Sequence, residues 1–168
     1  MSYNKPFEVD SEIIASTGKR FANYIIDVLF IYAILILLLS GIAIVSALFG
    51  SYGFAQWLQT MSDLEFYLVY FLIVIIYFIF FETLTSRSLA KYITGTIVVF
   101  EDGSKPDFGT ITKRTLCRFI PFDALSFFAS DARGWHDSIS DTYVVSKKGL
   151  ETKMKLFTEL DEIGVSQD

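Results

Sequence analysis

From Val28 to Ser62 no Asp, Glu, Lys or Arg interrupts the chain, and Phe21 to Phe49 is apolar enough, and long enough, to cross a bilayer as a helix. A second run, Phe66 to Phe81, is charge-free for 16 residues and is followed by Glu82, Thr83 and Leu84 before Arg87. A hydrocarbon core of about 30 Å takes about 20 helical residues. The pattern therefore predicts two transmembrane helices, over about 21–49 and 64–84, the first with its opening turn in the headgroup region. In water, such runs would expose large contiguous apolar patches. Val45-Ser46-Ala47 has the form of a signal-peptidase site, but the apolar stretch before it is nearly twice the about 7–15 residues of a cleavable signal and contains Asp27.

Beyond Arg87 the pattern changes to short mixed segments. Ile93 to Phe100 is rich in β-branched residues and runs into the turn signal Glu101-Asp102-Gly103-Ser104; a second β-like run, Thr142 to Ser146, follows some forty residues later. Two such runs are expected to pair as a small two-stranded cytoplasmic β element, because a lone strand leaves its backbone groups unpaired. Between them Thr110 to Ile120 reads as a helix with Thr110 as its N-cap and Arg114 and Arg118 at i, i+4. After Pro121 the segment to Ala129, with Asp123 inside it, is apolar but too short to cross, which predicts an interfacial or re-entrant helical segment over about 110–129. The fold class expected is thus a mainly α membrane protein. Residues 1–17 read as a disordered lead-in, 18–146 as the membrane domain and 147–168 as a cytoplasmic tail forming an amphipathic helix.

Charge fixes an orientation. Of the 14 Lys and Arg, Lys5, Lys19 and Arg20 precede the first span, none lies between Gly50 and Glu65, and 11 follow Phe81. The positive-inside rule then puts both termini in the cytoplasm and the short loop, with Tyr52 and Trp57, on the other side. Composition agrees with a lipid environment: 52% of residues are hydrophobic and 20% charged, against about 25% charged in an ordinary soluble domain. The formal net charge of -5 argues against a nucleic-acid partner. One cysteine, Cys117, and one histidine, His136, argue against a disulfide scaffold and a multi-His zinc site.

The residues that carry information are polar ones in apolar surroundings. Arg20, Asn23 and Asp27 fall at i, i+3 and i+7, on one face of the first helix. Asp27 lies roughly 9 Å deeper than Phe21 along the axis, where an unpaired carboxylate costs several kcal/mol or becomes protonated. Arg20 is about 10 Å from it along the axis, so Asn23 bridges the two, or Arg114, Arg118 or Arg133 supplies the cation. No cofactor or metal is implied.

Arg20 opening a first span, Asp27 seven residues on, the stretch Ser88-Leu89-Ala90-Lys91-Tyr92-Ile93-Thr94-Gly95-Thr96 leading into a strand, the turn Glu101-Asp102-Gly103, and a late Gly134-Trp135-His136-Asp137 before a β-like end together resemble the RDD family of bacterial membrane proteins. The resemblance runs from about Gly18 to Ser146. It maps the arginine and two aspartates of the family's name onto Arg20, Asp27 and Asp137, with Ala90 standing where members commonly have Gly. It implies a multi-pass protein of the bacterial cytoplasmic membrane with a cytoplasmic β element, and for some members cation–proton exchange has been proposed.

Two functional readings follow. In the first, Arg20, Asn23, Asp27, Arg118, Asp123, His136 and Asp137 form a structural polar cluster in an interaction or assembly protein. Its partners are the bilayer and a membrane protein or a second copy of the chain. In the second, an oligomer transports, with Asp27 binding a cation or proton, Arg20 tuning it, and Glu82, Tyr70 and Tyr77 assisting. Of these three, Glu82 reads more readily as a snorkelling end residue and the tyrosines as packing. An enzyme is not expected: adjacent His136 and Asp137 point in different directions on a regular element, and no relay with Ser130, Ser138 or Cys117 is evident.

Overall fold

A computed structural model describes residues 7–121, 123, 126 and 133–165. Helix α1 spans Thr17–Leu48, α2 Gly53–Thr60, α3 Asp63–Thr85 and α4 Leu89–Thr94; strand β1 covers Thr96–Val99. Helices α5, Phe108–Cys117, and α6, Trp135–Ile139, precede strand β2, Tyr143–Ser146, which runs directly into helix α7, Lys147–Val165.

The two long helices are built inside out relative to a water-soluble core. The buried residues of α1 are Arg20, Asn23, Asp27, Ile31 and Leu35, one stripe at helical spacing whose first three members are polar. Leu29, Ile36, Leu37 and Leu48 stand exposed on its other faces. Mean hydropathy reaches 3.0 in α1 and 2.5 in α3, yet only 11% and 17% of those most apolar windows are buried within the chain. Such surface is compatible with lipid, not with water. At about 1.5 Å per residue α1 is roughly 48 Å long, which exceeds the hydrocarbon core and leaves a turn or more outside it. Ile31 of α1 packs on Val74, Tyr77 and Phe78 of α3.

Local chemistry sets the ends of α3. The Ser62 hydroxyl accepts from Glu65 N–H at 3.3 Å while the Glu65 carboxylate accepts from Ser62 N–H at 2.8 Å, a reciprocal capping box. Trp57 of α2 donates to the same carboxylate at 3.3 Å, so the loop between the spans carries an ordered helical turn. At the other end Ser86 adopts a left-handed conformation (φ 56°) and its N–H closes on Glu82 O. Ser88 then caps α4, and Gly95 (φ 70°) terminates it, a conformation that favours glycine.

Strands β1 and β2 pair antiparallel, Thr96 opposite Ser146 and Val99 opposite Tyr143. The β run expected from Ile93 begins later than its composition indicated, because Ile93 and Thr94 complete α4. Residues 7–16 are not the disordered lead-in the sequence implied. Val9 N–H bonds Glu101 O and Ala15 N–H bonds Val144 O, both at 2.8 Å, Ile14 bridges Val145, and a 3-10 turn over Ser11–Ile13 buries Ile13 with Val99, Val145 and Leu150. Short β-bridges of this kind depend on a distant partner, which composition alone does not reveal.

Helix α5 starts before Thr110, the expected cap. Asp107 takes that role, its carboxylate accepting from Thr110 N–H at 2.6 Å. The interfacial or re-entrant segment expected over 110–129 falls largely outside the described residues after 121. Phe119 docks on Phe71 of α3, with ring centroids 3.9 Å apart.

Candidate functional site

Polar side chains converge where the first turns of α1 meet the end of α3, α4, α5 and α6. Asp27, 3% exposed, receives three neutral donors: Tyr77 Oη and Ser88 Oγ at 2.6 Å each, and the Ala90 backbone N–H at 3.1 Å. Tyr77 Oη in turn accepts from Leu89 N–H at 3.1 Å. The free N–H groups at the start of α4 are thereby capped by side chains of α1 and α3. One turn earlier, Asn23 donates to Thr96 Oγ1 at 3.1 Å and accepts from Thr94 Oγ1 at 2.5 Å, which stitches α1 to the α4–β1 corner.

Two further carboxylates are fully buried, and each meets cations. Asp137 on α6 sits between Arg20 of α1 and Arg114 of α5, one oxygen to each guanidinium. Arg114 also donates to Thr142 Oγ1 at 2.5 Å. Glu82, near the end of α3, takes Lys91 Nζ at 2.8 Å, Arg118 Nη2 at 3.1 Å and Arg114 Nε at 3.3 Å. It is wholly buried, not the snorkelling residue the sequence implied, because α4 and α5 fold back over the end of α3. Asp123 accepts from His136 through both ring and backbone, with Nδ1 2.6 Å from Oδ2 and the N–H 3.0 Å from Oδ1.

The electrostatics follow from burial and these partners. Burial opposes ionisation of Asp137, but Arg114 and Arg20 outweigh it and hold its carboxyl well below the usual range. Burial drives His136 down to about 4, so the ring is neutral at pH 7 and its Nδ1–H is assigned to the Asp123 carboxylate. Burial also lowers Lys91, against the pull of Glu82.

A cavity of about 400 Å³ lies at this junction. Arg20, Asn23, Asp27, Arg118, Asp123 and His136 all line it, and Asp137 stands behind its wall between Arg20 and Arg114. The seven residues singled out in the sequence thus come together. Their pairing differs from expectation: neither Arg20 nor Arg114, Arg118 or Arg133 neutralises Asp27, and Asn23 does not bridge it to Arg20. The hydroxyls and backbone N–H described above surround Asp27, Arg20 turns to Asp137, and Arg133 donates to Thr142 O while stacking on Tyr143. Sequence reasoning misses Ser88 and Lys91 as members of the network, and weighs Glu82 and Tyr77 only as assistants to transport that read more readily as a snorkelling end residue and as packing. Glu82 carried a signal, being the sole acid between Glu65 and Glu101. Among the described residues no group of three His, Cys, Asp or Glu side chains is arranged to hold a metal ion.

Two helices are long and apolar enough to cross a membrane and are little buried within the chain. The RDD family model matches residues 14–141, and the chain belongs to the RDD family. That match takes in Arg20, Asp27 and Asp137, and together with the apolar helices it supports a membrane location. No curated protein and no solved structure matches the chain.

Proposed function

We propose that this is a multi-pass protein of the bacterial inner membrane, non-enzymatic, with both termini in the cytoplasm, acting as an interaction or accessory subunit of a membrane complex. The observation that carries the reading is that each buried carboxylate of the junction is already engaged: Asp27 by Tyr77, Ser88 and Ala90, Glu82 by Lys91 and two arginines, Asp123 by His136, Asp137 by Arg20 and Arg114. Charges arranged in this way fasten helices to one another. The outward faces of α1 and α3 are left for lipid, for a partner helix or for a second copy of the chain.

The second reading, cation–proton exchange by an oligomer, draws on the presence of Asp27 in the wall of the cavity. A cation there would have to compete with three hydrogen bonds, two of them at 2.6 Å. The experiment measures monovalent-cation-driven proton flux in proteoliposomes alongside the membrane level of Asp27→Asn. The accessory reading expects no flux from the parent and a reduced level of the variant. Flux that Asp27→Asn abolishes at an unchanged protein level would establish the exchanger instead.

A further inference from the structure

The cavity holds more hydrogen-bond donors than the protein uses. Among the described residues Arg20 Nη2, Arg114 Nη2 and Arg118 Nε are buried without a hydrogen-bond partner, and all three arginines line the cavity. Arg20 and Arg114 are 3% and 0% exposed. A buried cationic donor without an acceptor is costly, and natural structures rarely retain several together without a ligand. The acceptors in the wall are committed, Asp27 to its three donors and Asp123 to His136, and the one buried carboxylate oxygen without a hydrogen bond among the described residues, Glu82 Oε2, lies behind the wall 3.3 Å from Arg114 Nε.

Charge sets the limit. Arg20, Lys91, Arg114 and Arg118 are matched in number by Asp27, Glu82, Asp123 and Asp137, so the junction has no surplus positive charge, and the unused donors favour an anion of low charge. Donors approaching from three separate side chains suit a tetrahedral anion, whose oxygens accept from several directions, better than a planar carboxylate served by one guanidinium fork.

The rest of the wall is apolar. Val28, Ile31 and Val74 line it on α1 and α3, while Phe78 lies under the Arg118 guanidinium, which is 4.0 Å from the ring centroid, and Phe119 and Ile120 follow Arg118 in the chain. From Arg20 to Ile31 this extends roughly 16 Å along the axis of α1. Tyr24 and Ile120, 42% and 36% exposed, bring it to the surface. We propose that this cavity binds a singly charged phosphodiester amphiphile, its phosphate among Arg20, Arg114 and Arg118 and its apolar chain along Val28, Ile31 and Val74. The site rests on the membrane reading of the two helices and is independent of whether the protein serves as an accessory subunit or an exchanger.

The test titrates the purified full chain in dodecyl maltoside with dioleoyl phosphatidylglycerol, dioleoyl phosphatidylcholine or inorganic phosphate, and follows bound mass by native mass spectrometry. The phosphatidylglycerol should bind one per chain, about tenfold or more tighter than phosphatidylcholine, with no retention of inorganic phosphate. Arg118→Gln, at the better exposed arginine, and Val28→Trp, which fills the apolar part without touching a charge, should each weaken the anionic lipid by about tenfold. Equal binding of both lipids, whose phosphodiesters are alike and which differ in net charge, would overturn the proposal of a site for a singly charged amphiphile. Retention of inorganic phosphate as tight as that of the lipid would overturn the amphiphile and leave a free-anion site. The comparison of lipids on the parent chain decides the matter even where a variant fails to fold.

Discussion

Asp27 and Asp137 are both buried, at 3% and 0% exposure, and both belong to the junction, but they are kept there by different physics. Asp137 is held by two guanidinium groups, so its stabilisation is Coulombic and fails when either cation goes. Asp27 is held by a phenol, a serine hydroxyl and a backbone N–H, so its direct contacts are directional hydrogen bonds at the start of α4, and the Lys91 ammonium reaches it through Ser88 Oγ at 3.3 Å. The contrast teaches where each can reside. The acid deep in the first span is served by short neutral donors from α3 and α4, while the ion pairs collect where α5 and α6 cover the helix ends.

The largest effect that can break this contrast is expected at Arg114, which serves both Asp137 and Glu82. Arg114→Ala should cost about 3–5 kcal/mol by leaving buried charge uncompensated, read as loss of thermal stability in detergent and of protein from the membrane. Asp27 keeps its own donors in that variant, so an equal loss from Asp27→Asn would erase the distinction. Next comes pH. His136 titrates at about 4 in the folded chain against an ordinary 6.5, so the unfolded chain binds the proton first as pH falls. Stability should hold above pH 6.5 and decline between 6.5 and 4, by roughly 3 kcal/mol over the window. Thermal unfolding of His136→Gln should show a flatter profile there.

How much of this was legible beforehand differs by region. The two spans, the antiparallel partnership of the two β-branched runs, and the convergence of Arg20, Asn23, Asp27, Arg118, Asp123, His136 and Asp137 follow from local patterns or from the family resemblance. Apolar run length and residue spacing along one helix are properties a sequence displays directly. Which acid meets which base is not, because it is set by the return of α4, α5 and α6 over α3. Arg20 shares a helix face with Asp27 yet pairs with a residue 117 positions away. Tyr77 stands beside Tyr70 as a helper in the transport reading and reads more readily as packing; spacing does not separate the two tyrosines, and only the fold places the Tyr77 hydroxyl 2.6 Å from Asp27. The ordering of residues 7–16 likewise rests on Glu101 and Val144, partners that no local pattern names.

Smaller effects sharpen the account of Asp27. Asp27→Asn keeps the shape but turns an N–H toward a donor and should cost about 1–3 kcal/mol, with little dependence on salt. Tyr77→Phe removes one of the three donors and the acceptor for Leu89 N–H; about 1 kcal/mol is expected, measured by thermal unfolding beside Asp27→Asn.

The most direct measurement is a pair of double-mutant cycles sharing Arg20, one with Asp137 and one with Asp27, read as unfolding free energy in the same detergent. A coupling of about 2 kcal/mol or more is predicted for Arg20 with Asp137, and no more than about 0.5 kcal/mol for Arg20 with Asp27. Strong coupling of Arg20 to Asp27, with none to Asp137, would contradict the account at its centre.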